Sequence, residues 1–365
     1  MTQELTRLSE QLRAAREAGT PLLVRGGNTR SFYGEPVEGR EALDISDYTG
    51  ILKYQASELV ITARAGTLLS EIEAVLAEQN QMLAFEPPRF GPESTLGGCV
   101  ASGMSGPRRM AVGKLGDFVL GVRLMDSNGN LLAFGGEVMK NVAGYDVSRL
   151  LAGSLGSLGP MVEVSVKVLP RPACEQTRVF ELDEAAALDQ LSAWRSRPLP
   201  ITASAWLDAA GPGAGAGKLL VRLSGTEINL SAARAAIGGE ALDDGEAAAH
   251  WDSLRDQTHA FFLQRPLWRV AVPPTTPPLD LGPGLIEWNG GLRWVSTPMP
   301  AAELRSRVQA AGGHATLYRY DSNPDAVPIF HPMAPAVERI NRRLMEQLDP
   351  AGLFNPGRRL PLAQG

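Results

Sequence analysis

Cysteine and histidine are scarce in this chain. Its 365 residues include 2 cysteines, Cys99 and Cys174, and 4 histidines. No CxxC pair exists, so neither a structural zinc site nor an iron–sulfur cluster can be built from this chain alone. His250, His259, His314 and His331 fall at no HxH or HxxxH spacing, which argues against a metal centre. His331 stands nearest to the carboxy-terminal motif discussed below. Nothing supports a disulfide, and reduced thiols fit two isolated cysteines better. Excess basic charge is also lacking: 35 Lys and Arg stand against 40 Asp and Glu, a net charge of −5. That balance excludes the basic footprint a nucleic-acid binder needs. No run approaches the roughly 18 uninterrupted apolar residues of a membrane helix. The opening MTQELTRLSEQLRAAREAG is charged throughout and has no signal-peptide core. The expectation is a cytoplasmic protein that reaches the inner face of a membrane only through a partner.

What is present is ordinary globular material, 44% hydrophobic and 21% charged, and long enough for two domains. Leu5, Leu8, Leu12 and Ala15 recur at helical spacing, and Gly19 ends that pattern. Pro21 to Val24 reads as a buried strand, and Leu59 to Ala63 as a second. After Gly66, Thr67 is placed to cap a helix carrying Leu68, Ile72, Val75 and Leu76. Gly121 to Phe134 reads as a hairpin turning on Asn128-Gly129. Val162, Val164, Val166 and Val168 alternate with Glu163, Ser165 and Lys167, and Pro170 and Pro172 stop that strand. Alternating strand, turn and helix indicate an α+β layer. Beyond about residue 173 alanine-rich helices alternate with short strands such as Lys218 to Leu223. The expected division is therefore 1–173, a second domain over 174–330, and a segment 331–365 that returns to the first. That last segment holds a helix from Pro335 with Val337, Ile340, Leu344 and Leu348 on one face.

Glycine is the abundant residue with chemical content. GPGAGAGK, Gly211 to Lys218, does not fit a P-loop: Pro212 stands five residues before Gly217, and Leu219 follows the lysine where Ser or Thr should hold Mg²⁺. It reads as a surface connector, as does PPTTPPLDLGPG from Pro273 to Gly284. Three other clusters each lie beside a predicted strand: Gly26-Gly27, then Gly97-Gly98 with Gly103, then Gly144 through Gly159. The second sits in Phe90 to Arg109, which has five glycines in twenty residues and no apolar periodicity. A long glycine-rich segment inside a domain tends to be functional. Bare backbone can approach an anion closely and aim several N–H groups at it. No GxGxxG joins the first strand to a helix, so a dinucleotide would not be held in the Rossmann manner.

Five segments, in order, resemble the FAD-linked oxidases of the vanillyl-alcohol-oxidase/PCMH type, and among them the FAD-binding subunits of bacterial glycolate oxidases. They are Arg25-Gly26-Gly27-Asn28-Thr29; Pro92 to Gly103; Gly116-Asp117-Phe118-Val119-Leu120-Gly121; Lys140 to Val147 followed by Gly153 to Gly159; and Asp349 to Gly357. The resemblance covers nearly the whole chain. It implies an α+β fold: an FAD-binding domain of two α+β subdomains plus a cap domain with an antiparallel sheet. It implies that Arg25 leads into a turn, Gly26, Gly27, Asn28 and Thr29, that holds the FAD pyrophosphate through backbone N–H groups. Gly97, Gly98 and Ser102 would line the other side, in a loop with Pro92, Thr95 and Gly103. Asp117 and Gly156 belong to the third and fourth segments. The strand at Val162 would lie beside the adenine, and Asn355 would return near the flavin. No histidine stands in these loops where covalent members attach the flavin, so FAD is expected to be non-covalent. The implied partners are a second flavoprotein subunit and an iron–sulfur subunit, in a complex that oxidises glycolate to glyoxylate.

The sequence also departs from the family pattern. Asn28 replaces a glycine, tolerably, since asparagine accepts positive φ. Arg30 stands where a small residue is usual, and Leu155 replaces a glutamate. The GDGNxH metal–substrate motif of related 2-hydroxyacid dehydrogenases is absent. No catalytic base or carboxylate anchor is therefore assigned. Arg319 and Tyr320, in LYRYD, qualify by residue type, and an ordinary strand of the cap sheet explains them equally. Two alternatives stay open: a stand-alone FAD-dependent dehydrogenase of another 2-hydroxy acid, and a non-catalytic scaffold flavoprotein.

Overall fold

The amphipathic first helix explains how the amino-terminal half begins. In a computed structural model, which describes residues 2–37, 40–136, 146–208, 217–323 and 326–360, α1 spans Gln3–Ala18. The Thr2 side chain accepts from Leu5 N, and Gly19 closes the helix in the left-handed region. Leu5, Leu8, Leu12 and Ala15 form its buried stripe and pack with Leu22, Leu43, Tyr48, Val162 and Phe354. The chain divides into two units: Met1–Met104, Lys114–Pro170 and Pro332–Gly365 form the first, and Ser105–Gly113 with Arg171–His331 the second.

In the first unit, β1 (Leu22–Arg25) pairs in parallel with β2 (Glu41–Asp44). Phe354 bridges to Leu22 on the other side of β1. A five-stranded antiparallel sheet has the order β3-β4-β8-β6-β7, with β3 Ile51–Gln55, β4 Val60–Arg64, β6 Val119–Met125, β7 Leu131–Gly135 and β8 Met161–Lys167. β5 (Gln81–Met82) and β9 (Leu169–Pro170) form a small separate pair. Helices α2 (Leu69–Glu78), α3 (Leu96–Ser102), α5 (Leu115–Phe118), α6 (Val147–Leu150) and α11 (Pro335–Leu348) complete this unit.

The second unit contains one eight-stranded antiparallel sheet, ordered β13-β10-β12-β11-β15-β16-β14-β17. Its strands are β10 Cys174–Glu181, β11 Ile201–Asp208, β12 Gly217–Gly225, β13 Glu240–Ala241, β14 Leu267–Ala271, β15 Gly284–Glu287, β16 Leu292–Ser296 and β17 His314–Arg319. Its helices are α4 (Arg109–Val112), α7 (Glu184–Arg195), α8 (Glu227–Ile237), α9 (Asp244–Arg255) and α10 (Ala301–Ala310). α7 and α8 pack their apolar sides on Leu219, Val221 and Leu223. α10 packs Leu304 and Val308 on Trp268, Val270 and Leu317. The fold is α+β.

Several local expectations are revised. β8 lies between β4 and β6, and its polar side, Glu163 and Ser165, is buried as well as its valine side. There Glu163 accepts from Tyr48 Oη and Arg123, both at 3.0 Å, and Ser165 meets Thr62 at 2.8 Å. Thr67 is not the cap of α2, which starts one residue later after Leu68. Its hydroxyl instead accepts from Gly50 N at 2.9 Å. The glycine-rich segment after Phe90 is not all loop, because Thr95 caps the short helix α3 within it, and its tail from Ser105 belongs to the second unit. In the turn between β6 and β7, Gly129 takes positive φ and Asn128 does not. Asp126 folds that turn by accepting from the N–H groups of Asn128 and Asn130, both at 2.8 Å. The apolar side of α11 is not buried, with Val337 and Ile340 49% and 66% exposed. Residues 211–216 of GPGAGAGK lie outside the described residues, while Gly217 and Lys218 start β12.

Burial in the second unit generates a pH dependence. Desolvation, and then the neighbouring His259, push His250 down to about 4. The unfolded chain therefore binds a proton, near the ordinary histidine pKa of about 6.5, that the folded chain refuses. Stability from this group is full above about pH 6.5 and falls as pH drops toward about 4, on the order of 2 kcal/mol in all. Chemical denaturation across that window should show a shallower slope for His250→Gln than for the parent. Equal slopes would remove His250 as the cause.

Candidate functional site

β1 runs into the site. After Arg25 the chain passes through Gly26, Gly27, Asn28 and Thr29, with Asn28 left-handed at φ 54°. The backbone N–H groups of these four residues donate to no acceptor among the described residues. A row of free N–H groups in a turn is an anion-binding concavity. The loop also lies hard against the segment Glu93–Thr95. A Cβ on Gly27 would stand 1.5 Å from the Glu93 carbonyl oxygen. No side chain fits there, so the contact of two backbones requires glycine.

Arg30 explains its own departure from the family pattern. It is buried, and its guanidinium donates to Thr29 Oγ1 at 3.0 Å, to Ser94 Oγ at 2.8 Å and to the Pro88 carbonyl. It fastens the first glycine loop to the second. Arg358 does similar work from the carboxy terminus, donating to the carbonyls of Ser31 and Tyr33 at 3.2 and 3.1 Å.

The carboxy-terminal motif runs alongside β1. Asp349 accepts from Phe354 N at 2.7 Å and so folds the turn; burial pushes its carboxyl above the usual range. Leu22 N donates to Leu353 O at 2.8 Å, and Asn355 N to Leu22 O at 3.1 Å. The Asn355 side chain accepts from Val24 N and donates to Leu155 O, both at 2.7 Å. Leu155 and Gly156 are both left-handed, at φ 54° and 75°. A Cβ on Gly156 would meet Asn355 Nδ2 at 2.7 Å. One amide thus joins β1, the Gly153–Gly159 turn and the carboxy terminus.

These loops border two adjoining clefts, which share Val24, Arg25, Gly26, Thr95, Gly98, Ala101 and Leu155. Of the residues expected at the site, Arg25, Gly26, Gly27, Asn28, Thr29, Thr95, Gly97, Gly98, Ser102 and Gly156 line the clefts. Pro92, Gly103, Asp117, Val162 and Asn355 do not. Gly103 closes α3, and Asp117 accepts from Lys114 N at 2.9 Å. Val162 is fully buried and gives its carbonyl to Ala65 N at 2.8 Å. Asn355 acts from beneath the lining. The Lys140 to Tyr145 part of the fourth segment lies outside the described residues.

Sequence reasoning missed Ile45, Ala65, Ala101 and Met161 in the lining, since apolar side chains carry no local signal of a ligand. It missed Arg358 as well, although GRRL directly follows the motif that carries Asn355. Arg319 ends β17 with its guanidinium 5.7 Å over Tyr318, and His331 accepts from Ala315 N at 3.4 Å. Neither lines the clefts. The titratable residues that do are Arg25, Arg30 and Arg358, without carboxylate or histidine. Cys99, behind the lining on α3, is buried and pushed up to about 11, so it is a thiol and not a nucleophile. No cluster of metal-ligating side chains exists among the described residues, and no helix there is long and apolar enough to cross a membrane.

Asn355→Ala should cost about 2–4 kcal/mol, because it strands the Val24 N–H and the Leu155 carbonyl in a buried place. Denaturant unfolding of the full chain measures this, and a cost under about 0.5 kcal/mol would show that water replaces the amide.

A family model described as an FAD binding domain matches residues 3–135. The chain is 43% identical over 353 residues, 96% of both sequences, to "Glycolate oxidase subunit GlcE" of Escherichia coli (strain K12). It is 32% identical over 190 residues to "Glycolate oxidase subunit GlcD" of Bacillus subtilis (strain 168), covering 51% of this chain and 39% of that one. Among solved structures, alkyldihydroxyacetonephosphate synthase matches with a TM-score of 0.67 and 16% identity, over 96% of this chain and 74% of that one; this likeness speaks to fold alone. The glycine loops, the clefts they enclose and the likeness over almost the full length lead to one assignment: the chain belongs to the FAD-linked oxidase family, as an FAD-binding oxidoreductase homologous to the glycolate oxidase subunit GlcE.

Proposed function

We propose that this chain is the FAD-carrying subunit of a glycolate oxidase complex, oxidising glycolate to glyoxylate and passing electrons to an iron–sulfur partner subunit, beside a second flavoprotein subunit. One observation carries the cofactor part: the four successive N–H groups of Gly26 to Thr29 donate to no acceptor among the described residues, and these residues border a cleft that arginines also line. They suit a pyrophosphate, which needs several donors and brings two negative charges. In this reading Gly26, Gly27, Asn28 and Thr29 donate to it. Gly97, Gly98, Thr95 and Ser102 line the opposite wall, and Arg25 and Gly156 flank the opening. Arg30, Arg358 and Asn355 hold the loops in register and touch the cofactor less than they fix its walls. FAD, when bound, supplies a two-electron acceptor for the hydroxy acid. No histidine lines the clefts, which supports non-covalent attachment. The relative's name, a glycolate oxidase subunit, supports the substrate and the complex. This chain's two isolated cysteines build no iron–sulfur cluster of their own, so in this reading the cluster sits on a partner.

A second reading is favoured by one observation. Among the described residues no carboxylate or histidine lines the clefts. The chain would then carry FAD while another subunit removes hydrogen from the substrate.

The purified chain should release near-stoichiometric FAD, and anaerobic glycolate should bleach its visible absorbance. FAD without bleaching selects the second reading; no FAD after reconstitution overturns both. Gly27→Ala should lose the flavin, because its Cβ has no space beside Glu93, while the near-ultraviolet spectrum of the second unit's tryptophans persists. A Gly27→Ala chain that retains FAD would refute the loop assignment.

A further inference from the structure

The second unit carries a cationic cluster that the FAD site does not use. β14 alternates across its sheet: Trp268 and Val270 join the core under α10, so Arg269 projects from the opposite side. Its guanidinium lies 5.2 Å over the ring of Trp288 and 5.9 Å over that of Trp294. Arg109, from α4, lies 4.5 Å over the same Trp288.

Trp288 is held firmly. Its Nε1 donates to Gly106 O at 3.0 Å. Trp288 and Asn289 are both left-handed, each at φ 53°. Two successive non-glycine residues in that region are strained. The Asn289 N–H is fixed on Ser204 Oγ at 2.9 Å. Strain of this kind persists only where the surroundings impose it.

His314, at the start of β17, belongs to the same group. Burial lowers its basicity first, and the positive charges of Arg269, His331 and Arg109 lower it further. Other arginines of this unit are neutralised or capped: Arg108 by Glu175 at 2.5 Å, Arg293 by the Thr276 and Pro277 carbonyls, Arg305 by the Pro328 carbonyl. Arg269 makes no ion pair and no hydrogen bond among the described residues; its only neighbours of note are the two indoles and like charge.

A planar guanidinium on an aromatic floor, gathered with further cations and lacking its own carboxylate, is suited to a small planar anion. We propose that Arg269, with Arg109 across Trp288, binds the carboxylate of a small 2-hydroxy acid or its 2-oxo product on the second unit itself. This rests on the reading of the chain as one that acts on such an acid.

The test titrates the full, FAD-loaded chain with glyoxylate, which cannot reduce the flavin, and follows tryptophan fluorescence. The parent should show a saturable change that Trp288→Phe diminishes. Arg269→Gln should weaken glyoxylate binding about tenfold or more, since one charge-assisted pair is lost. Arg269→Lys should restore part of it, and FAD content should stay at the parent's level in each variant. If glycolate turnover is measured, Arg269→Gln should raise KM far more than it lowers kcat. Should Arg269→Gln fail to fold, Arg109→Gln carries the same comparison. Parent-like glyoxylate binding by the folded variant overturns the anchor. So does inorganic phosphate competing as tightly as glyoxylate, which would mark a general anion patch, and so does a flavin-replete parent that shows no saturable response. A parent without FAD fails the preceding proposal instead, and glyoxylate binding on that chain still decides this one.

Discussion

The contact between the Gly27 backbone and the Glu93 carbonyl is the constraint on which the candidate site depends. Two loops from distant parts of the sequence meet there with no space for even a methyl group. Gly26 to Thr29 line a cleft there, and their N–H groups donate to no acceptor among the described residues. Holding the loops together falls to side chains with many donors. Arg30 reaches the second loop, and Arg358 collects the carbonyls of the first. A guanidinium is suited to this because its five donors sit in a rigid fork and remain charged when buried.

The carboxy-terminal motif then becomes intelligible. Its residues complete β1. Phe354 continues the pairing on the free side of β1, Asp349 folds the turn that lets it arrive, and Asn355 satisfies one N–H of β1 and one carbonyl of the Gly153–Gly159 turn. A buried strand edge and a left-handed turn would otherwise leave polar groups unpaired, at a cost that few local interactions offset. The last residues of the first unit therefore stabilise the first loop of the site.

Arginine serves different ends in the two units. Around the clefts it ties loops and faces a site that lacks acids, which suits an anionic cofactor. In the second unit most arginines are consumed by carboxylates and carbonyls, and Arg269 is set apart on two indoles. That contrast, within one sheet, is what singles it out, and no motif in the sequence does so.

Much of this was legible in the residues. The helix of Leu5, Leu8 and Leu12, the strand before Gly26, the hairpin before Phe134 and the glycine loops themselves follow from periodicity, from turn chemistry and from order along the chain. Those signals are local, so they survive without the fold. What sequence missed was non-local. β8 alternates like a half-exposed strand, yet its polar side is buried because β4 and β6 flank it and give Glu163 and Ser165 their partners. Thr67 looks like a cap, and a loop from Gly50 claims its hydroxyl. Ala65, Ala101 and Met161 line the clefts with side chains that announce nothing. The sequence by itself determined that glycine-rich turns would follow strands and present bare backbone, because only glycine tolerates such approach. The tertiary structure alone decided which of those turns meet and which arginine comes to lie over two indoles, because these depend on contacts between residues far apart in the chain.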